Sequence, residues 1–280
     1  MKNKNEYLAN GFVSVDKTKN KMVYINCLNY IDAIPYFNDV KTKTYALLKL
    51  EEAKAVLEIG CGVGHDVYRM SLLISEMSML TGIDCSAFMI EEARSNPLYQ
   101  ERRNIAFKVA DGRDLPFESI SFDACRIDRT LQHISNPQIV VSEAYRILKP
   151  GGILVVYDND WGSFSLSLVD KRLSRIVENY WCDTFVNGRI GCHLKAYFSA
   201  EGFNDIFLYP STLILDDFEV ADKIYNIKQT INRACIDGLL TSLEAKNIVK
   251  ECYKQTKEGG FHCALTSYTI SGMKPKKDND

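Results

Sequence analysis

The chain has 280 residues, 46% hydrophobic and 25% charged, with a formal net charge of −2. That length suits one large globular domain with insertions, and the near-neutral balance offers no basic field for nucleic acid or an anionic membrane. No apolar run spans a bilayer and no signal peptide is evident, so a cytoplasmic protein is expected; nine scattered cysteines without a C-x-x-C pair imply reduced thiols and no zinc site.

Residues 1–20 are polar and lysine-rich and are expected to be mobile. From Asn29 to Leu50 apolar residues recur at helical spacing (Ile31, Ile34, Phe37, Val40, Tyr45, Leu47, Leu48), and Pro35 starts a new helix. Tyr36 and Lys41 are candidates to face a cleft. Next comes the stretch that organises the rest: the apolar strand Ala55–Ile59, the loop Gly60-Cys61-Gly62-Val63-Gly64, and a helix-compatible segment from Val67 to Glu76. A buried parallel strand, a glycine loop and a helix open a doubly wound α/β domain. The loop amides and the helix N-terminus are expected to face a ligand. A dinucleotide fingerprint needs glycine at the sixth position, where His65 stands. Glu58, just before the loop, suits an ammonium group better than a pyrophosphate.

The second strand, Met79–Asp84, ends in an acid, and a carboxylate there can accept from both ribose hydroxyls. Ser86 caps a helix carrying Phe88, Met89, Ile90 and Ala93. The third strand, Ile105–Ala110, runs into Asp111-Gly112-Arg113-Asp114-Leu115-Pro116-Phe117. The fourth, Phe122–Asp128, leads through Arg129-Thr130-Leu131-Gln132-His133 to a helix beginning at Pro137. That helix stops at Lys149-Pro150-Gly151-Gly152. The fifth strand, Ile153–Tyr157, ends at Asp158-Asn159-Asp160-Trp161. Residues 162–190 are aromatic and helix-prone without a strand, Cys192–Ala200 reads as a helix, Asp205–Tyr209 as strand six, and Ala264–Ser271 as strand seven. Thr241 and Glu244 have the spacing of a capping box. The tail from Lys274 is expected to fray.

The phrase Glu58-x-Gly60-x-Gly62-x-Gly64, the strand-tip acid Asp84, Asp111-Gly112 with Asp114-Leu115-Pro116-Phe117, and Arg146-Ile147-Leu148-Lys149-Pro150-Gly151-Gly152 occur in one order. Together they resemble the class I S-adenosylmethionine (SAM) methyltransferases, in particular the ubiquinone/menaquinone-type and natural-product group. The resemblance and the strand–helix alternation imply a doubly wound seven-stranded α/β sheet of order 3-2-1-4-5-7-6, with strand 7 antiparallel. One methyltransferase domain over residues 1–280 is expected, with helical caps at 21–50, 159–190 and 216–260.

The resemblance further implies SAM as cofactor, with S-adenosylhomocysteine as product. Its binding set would be Glu58, Gly60, Cys61, Gly62, Asp84, Cys85, Met89, Asp111, Gly112, Arg113 and Arg126. Asp111 would meet the adenine amino group; Arg126 would face the methionine carboxylate or pair with an acid beside the cofactor. Methyl transfer from a sulfonium needs mainly positioning, and a base helps only if the nucleophile starts protonated. His133 and Asp160 are the catalytic candidates. Tyr36, Asp158, Trp161 and Arg189 are the substrate candidates, and no metal is expected. The N/D-P-P-Y/F motif of amino-methyltransferases acting on nucleobases or glutamine is missing, since Arg126-Ile127-Asp128-Arg129 stands there. The expected partner is a small-molecule acceptor methylated on O or N by a monomer or homodimer. The rivals are C-methylation of a quinone-like ring, a silent SAM-binding regulator and a nicotinamide-dependent oxidoreductase.

Overall fold

The computed structural model describes residues 7–276; the expectations for residues 1–6 and 277–280 lie outside that range. In chain order the helices and strands are α1 (Leu8–Gly11), α2 (Met22–Asp32), α3 (Pro35–Leu47), β1 (Ala55–Ile59), α4 (His65–Ser71), β2 (Met79–Asp84), α5 (Ala87–Ser95), α6 (Pro97–Gln100), β3 (Ile105–Val109), β4 (Phe122–Asp128), α7 (Pro137–Ile147), β5 (Leu148–Asn159), β6 (Ser165–Leu166), α8 (Lys171–Thr184), α9 (Ile190–Glu201), β7 (Asn204–Leu215), α10 (Phe218–Tyr225), α11 (Ile227–Ile236), α12 (Ser242–Glu258) and β8 (Cys263–Met273).

One sheet runs β3-β2-β1-β4-β5-β8, with β7 on the far side of β8. The first five strands are parallel, and β8 is antiparallel to both β5 and β7. This is the expected seven-strand order, with an added two-residue strand. That addition, β6, pairs with Cys263 and Ala264 where β8 outruns β5, inside the stretch read as strandless. Two residues are too few to show an alternation.

Side chains on a strand alternate between faces. Leu57, Ile59, Cys125, Ile127, Leu154 and Val156 pack with α7 and α9. Val56, Ala124 and Val155 pack on the other face against Tyr45, Leu48, Val67 and Met70 of the α3/α4 layer. Glu58 and Arg126 follow the parity of Val56 and Ala124, so two charged side chains enter that second layer.

Residues 7–17 correct the expectation of a mobile N-terminus. Tyr7 is fully buried, donates or accepts a 2.8 Å hydrogen bond with Thr230 Oγ1, and meets Trp181 edge-on. Asp16 accepts from Ser86 Oγ (2.6 Å) and from the amides of Ala87 and Phe88, so it caps α5 from outside. Burial of Tyr7, Leu8, Ala9 and Val15 outweighs the polar composition around them. Tyr7, Phe37, Trp161, Trp181, Phe218 and Leu240 share one apolar cluster, so the N-terminal segment and both later insertions are packed together over the sheet. The Thr241–Glu244 capping box forms on α12.

Candidate active site

A cavity of ≈ 350 Å³ opens at the carboxyl ends of the strands, between the glycine loop and this aromatic cover. Ligands of open α/β sheets bind at that edge.

One half is built from the loop and the tips of β2 and β3. Gly60, Gly62 and Gly64 have φ of +75°, +53° and +86°, which side chains disfavour. A Cβ at Gly60 would also fall 2.1 Å from Thr130 Oγ1. The loop departs from expectation in one respect. The amides of Gly60 and Cys61 both donate to Ile83 O, that of Gly62 to Asp84 Oδ2, and that of Gly64 to Cys61 O. These four N–H groups are spent inside the protein and do not form an anion cradle.

Asp84 lines the cavity, with Oδ2 accepting from Gly62 N and Oδ1 from Ser86 N, each at 2.9 Å. Each oxygen keeps further acceptor capacity, and burial pushes the carboxyl up from its ordinary value. Asp111 also lines the cavity and is held by Arg113 at 2.7 Å; hydrogen bonding to that guanidinium lowers its carboxyl. Cys85, Met89, Gly112 and Arg113 complete this half.

Glu58, Cys61 and Arg126, expected at the cofactor, do not line the cavity. Cys61 turns back over the loop toward Gly82. Arg126 is fully buried, bonded to Glu58 (2.6 Å), Asp128 (2.5 Å) and Thr44 Oγ1 (2.9 Å), with Asp66 at 3.4 Å. Of the two roles open to Arg126, this is the second, pairing with acids. Burial drives Glu58 up, and its Oε2 has no hydrogen-bond partner. Lys41 joins the same network through Asp32 and Asp66 instead of facing the cleft.

The other half takes its polar atoms from β4, β5 and the cover. Tyr36, His133 and Trp161 line it as expected; so do Arg129, Gln132, Tyr157, Asn159, Trp181, Phe185 and Tyr225, which the sequence reading missed. Asp158 and Asp160 do not. Alternation explains this: Tyr157 and Asn159 point into the cavity, while Asp158 and Asp160 have the opposite parity. Asp158 is fully buried, accepts from the amides of Asn159 and Gln132, and is pushed up by burial to about 7. Asp160 caps the turn Trp161–Ser163 and meets Cys192 Sγ at 3.0 Å. Arg189 is exposed beside Cys192, outside the cavity.

Gln132 organises this half. Its Oε1 accepts from Trp161 Nε1 (2.8 Å) and Asn159 Nδ2 (3.2 Å), while its Nε2 lies 3.2 Å from Arg129 O and 3.1 Å from His133 Nε2. An indole N–H only donates, so the amide orientation is settled and Gln132 Nε2 is a donor. His133 Nε2 is therefore the acceptor, and the neutral ring carries its proton on Nδ1. Burial and the nearby Arg129 charge push the imidazole down to about 4. A ring so held is a poor general base near neutrality.

Among the described residues no group of His, Cys, Asp and Glu is arranged to hold a metal ion, and no helix is long and apolar enough to cross a membrane.

A family model described as a methyltransferase domain matches residues 50–251. A 37.1 kDa protein of transposon TN4556 from Streptomyces fradiae is 29% identical over 247 residues, covering 87% of this chain and 70% of that protein. The 27-O-demethylrifamycin SV methyltransferase of Amycolatopsis mediterranei is 32% identical over 113 residues, 40% of this chain and 41% of that enzyme. The demethylmenaquinone methyltransferase of Lactococcus lactis is 32% identical over 101 residues, 36% of this chain and 40% of that enzyme. The chain thus matches less than half the length of either enzyme. A putative methyltransferase (BH2331) of Bacillus halodurans shares the fold at a TM-score of 0.60 and 18% identity, over 85% of this chain and all of that one. The match over residues 50–251, on a glycine loop and acid-tipped strands of this geometry, places the chain in the methyltransferase-domain family, and it is an enzyme of that class.

Proposed function

We propose that the enzyme uses SAM to methylate an oxygen or nitrogen of a small molecule held under the aromatic cover. The observation that carries the reading is the pairing of Asp84 with a glycine loop whose amides are already spent. A pyrophosphate would want those amides free, which counts against a nicotinamide dinucleotide. A carboxylate with spare acceptor capacity beside bare main chain suits a ribose. Asp111, at the tip of β3, suits an adenine amino group. These residues fit SAM.

When bound, SAM supplies a methyl group on a sulfonium, open to in-line displacement. The chain's own residues bind, orient and exclude water. Asp84 would hold the ribose, and Met89 and Gly112 would border the base. Gln132 would fix Trp161, Asn159 and His133 as one wall. Positioning of this kind can supply roughly 7–11 kcal/mol. C-methylation of a quinone-like ring stays a second reading because relatives carry the name demethylmenaquinone methyltransferase.

The test is calorimetric titration with SAM, S-adenosylhomocysteine and NAD(P), followed by a methyl-transfer screen on small-molecule extracts. Binding of NAD(P) in preference to SAM would sink the reading. SAM binding without any transfer would favour a silent regulator.

A further inference from the structure

Six polar groups meet in the acceptor half, and each has hydrogen-bonding capacity left over. Tyr225 Oη, Trp181 Nε1 and His133 Nδ1 are buried without a hydrogen-bond partner, and Tyr36 Oη and Tyr157 Oη, close to each other and to Ser267, make no well-aligned hydrogen bond. All five residues line the cavity. Arg129 is the sixth. Its Nε donates to Asp128 Oδ1 at 2.6 Å and its guanidinium lies 5.0 Å from the centre of the Phe37 ring. Its two terminal amino groups have no partner among the described residues.

The chemistry of this set is one-sided. A guanidinium, an indole N–H and the Nδ1–H of His133 can only donate, and phenols donate readily. Burial raises all three phenols, so they keep their protons near neutrality. No uncommitted carboxylate faces them. Asp128, the acid beside them, is shared between Arg126 and Arg129, and Asp158 and Asp160 point elsewhere. Leaving a buried donor unsatisfied is costly, so an occupant that supplies acceptor atoms gains from each one it meets. The remaining wall is aromatic: Phe37, Trp161 and Phe185.

We propose that the methyl acceptor is an oxyanion, a carboxylate or an acidic phenol, borne on an apolar scaffold, with Arg129 as its charge partner. This deepens the SAM-dependent reading and rests on it. An oxyanion has no proton to lose. The O–C bond forms as the C–S bond breaks, the anion becomes a neutral ester or ether, and the sulfonium becomes a neutral thioether. No protein base is required, which agrees with the protonation state of His133.

The experiment is calorimetry on the full chain saturated with S-adenosylhomocysteine, using matched probes: trans-cinnamate, cinnamamide and cinnamylamine, and 4-nitrophenol, buffered where it is ionised, with 4-nitroanisole. Cinnamate or 4-nitrophenolate is expected to bind at least tenfold more tightly than its uncharged or cationic counterparts, and which of the two does so separates a carboxylate site from a phenol site. Arg129→Met should erase that preference while S-adenosylhomocysteine affinity stays within twofold, and Arg129→Lys should retain it. Because Asp128 keeps Arg126, neither variant orphans a buried acid, and Tyr225→Phe gives an independent partial loss. Tighter binding of cinnamylamine or cinnamamide, no binding by any probe, or an unchanged preference in Arg129→Met overturns the proposal. A parallel loss of S-adenosylhomocysteine affinity in Arg129→Met also overturns it, since Arg129 would then serve the cofactor. If the wild-type chain does not bind S-adenosylhomocysteine at all, the cofactor reading fails instead.

Discussion

Glu58 and Arg126 stand opposite each other on adjacent parallel strands, β1 and β4, and meet at 2.6 Å with neither exposed to solvent. Parallel register brings same-level side chains onto one face, so the pair is a product of strand alignment. It anchors a wider network of Asp66, Asp128, Lys41, Asp32 and Arg69 beneath the glycine loop. Burial opposes ionisation of Asp66, but the charges of Arg126 and Lys41 win and hold it well below the usual carboxylate range.

Arg126→Met should therefore be severe. It removes the shared partner of Glu58 and Asp128, and breaking a buried pair costs about 3–5 kcal/mol. Urea denaturation should show that loss, with a smaller one for Glu58→Gln, where Arg126 keeps Asp128 and Thr44. A loss under about 1 kcal/mol for Arg126→Met would mean that water or repacking replaces the network.

Asp84→Asn keeps one side-chain oxygen and removes the charge. Hydrogen bonds to charged groups contribute about 1.5–3 kcal/mol each, so calorimetry should find SAM binding weakened by roughly ten- to a hundredfold for a loss near the middle of that range. Unchanged affinity would place the ribose elsewhere.

His133 sits at about 4 in the folded chain against 6.5 when free. Between these values the unfolded chain binds a proton that the folded chain refuses. Stability is therefore full above about 6.5 and is lost as pH falls toward 4. His133→Phe keeps a ring between Phe12 and Phe185 and removes the titration. Unfolding curves of the two proteins should run parallel above neutrality, with the wild type losing ground below it. The kcat of the wild type should show no His133 limb near neutrality; a limb that vanishes in His133→Phe would restore it as a base.

Trp161 is only 5% exposed, stacked on Phe185 at 4.4 Å and bonded to Gln132. Trp161→Ala should cost about 3–5 kcal/mol of stability, which confounds any effect on substrate. Gln132→Met is the cleaner probe. It frees the indole and His133 together, should cost about 1–3 kcal/mol, and should raise KM for the acceptor while SAM affinity is kept. Equal losses for both ligands would argue that Gln132 supports the whole cleft.

Asp16→Ala tests the N-terminal strap. Losing a capping carboxylate costs about 0.5–2 kcal/mol, and amide exchange should quicken at Ala87 and Phe88 and across residues 8–17. Protection unchanged at both places would show that apolar burial alone holds the strap.

The sequence by itself determined the main strands, the glycine loop and the two strand-tip acids, because these depend on short-range features, and the sheet order followed from the family resemblance that those features carry. Apolar runs make strands, glycines mark positive φ, and an acid ending a strand falls at its carboxyl edge wherever the strand lies. The capping box on α12 and the helix start at Pro35 were legible for the same reason. Only the tertiary structure decided the rest. The sequence favours Asp158 and Asp160 over Tyr157 and Asn159 because β5 is buried on both faces, so its apolar run shows no alternation from which to count parity. The sequence leaves Arg126 between the cofactor and an acid because its partner, Glu58, is set by interstrand register, which no local pattern encodes. Tyr7 and Val15 do not stand out in a lysine-rich stretch because the surfaces that bury them are distant in sequence, Trp181 and Thr230 for Tyr7 and Val63 and Met89 for Val15. The donor-rich acceptor half draws on α3, the segment after β4, β5, α8 and α10, and only folding brings those five parts of the chain to one cavity.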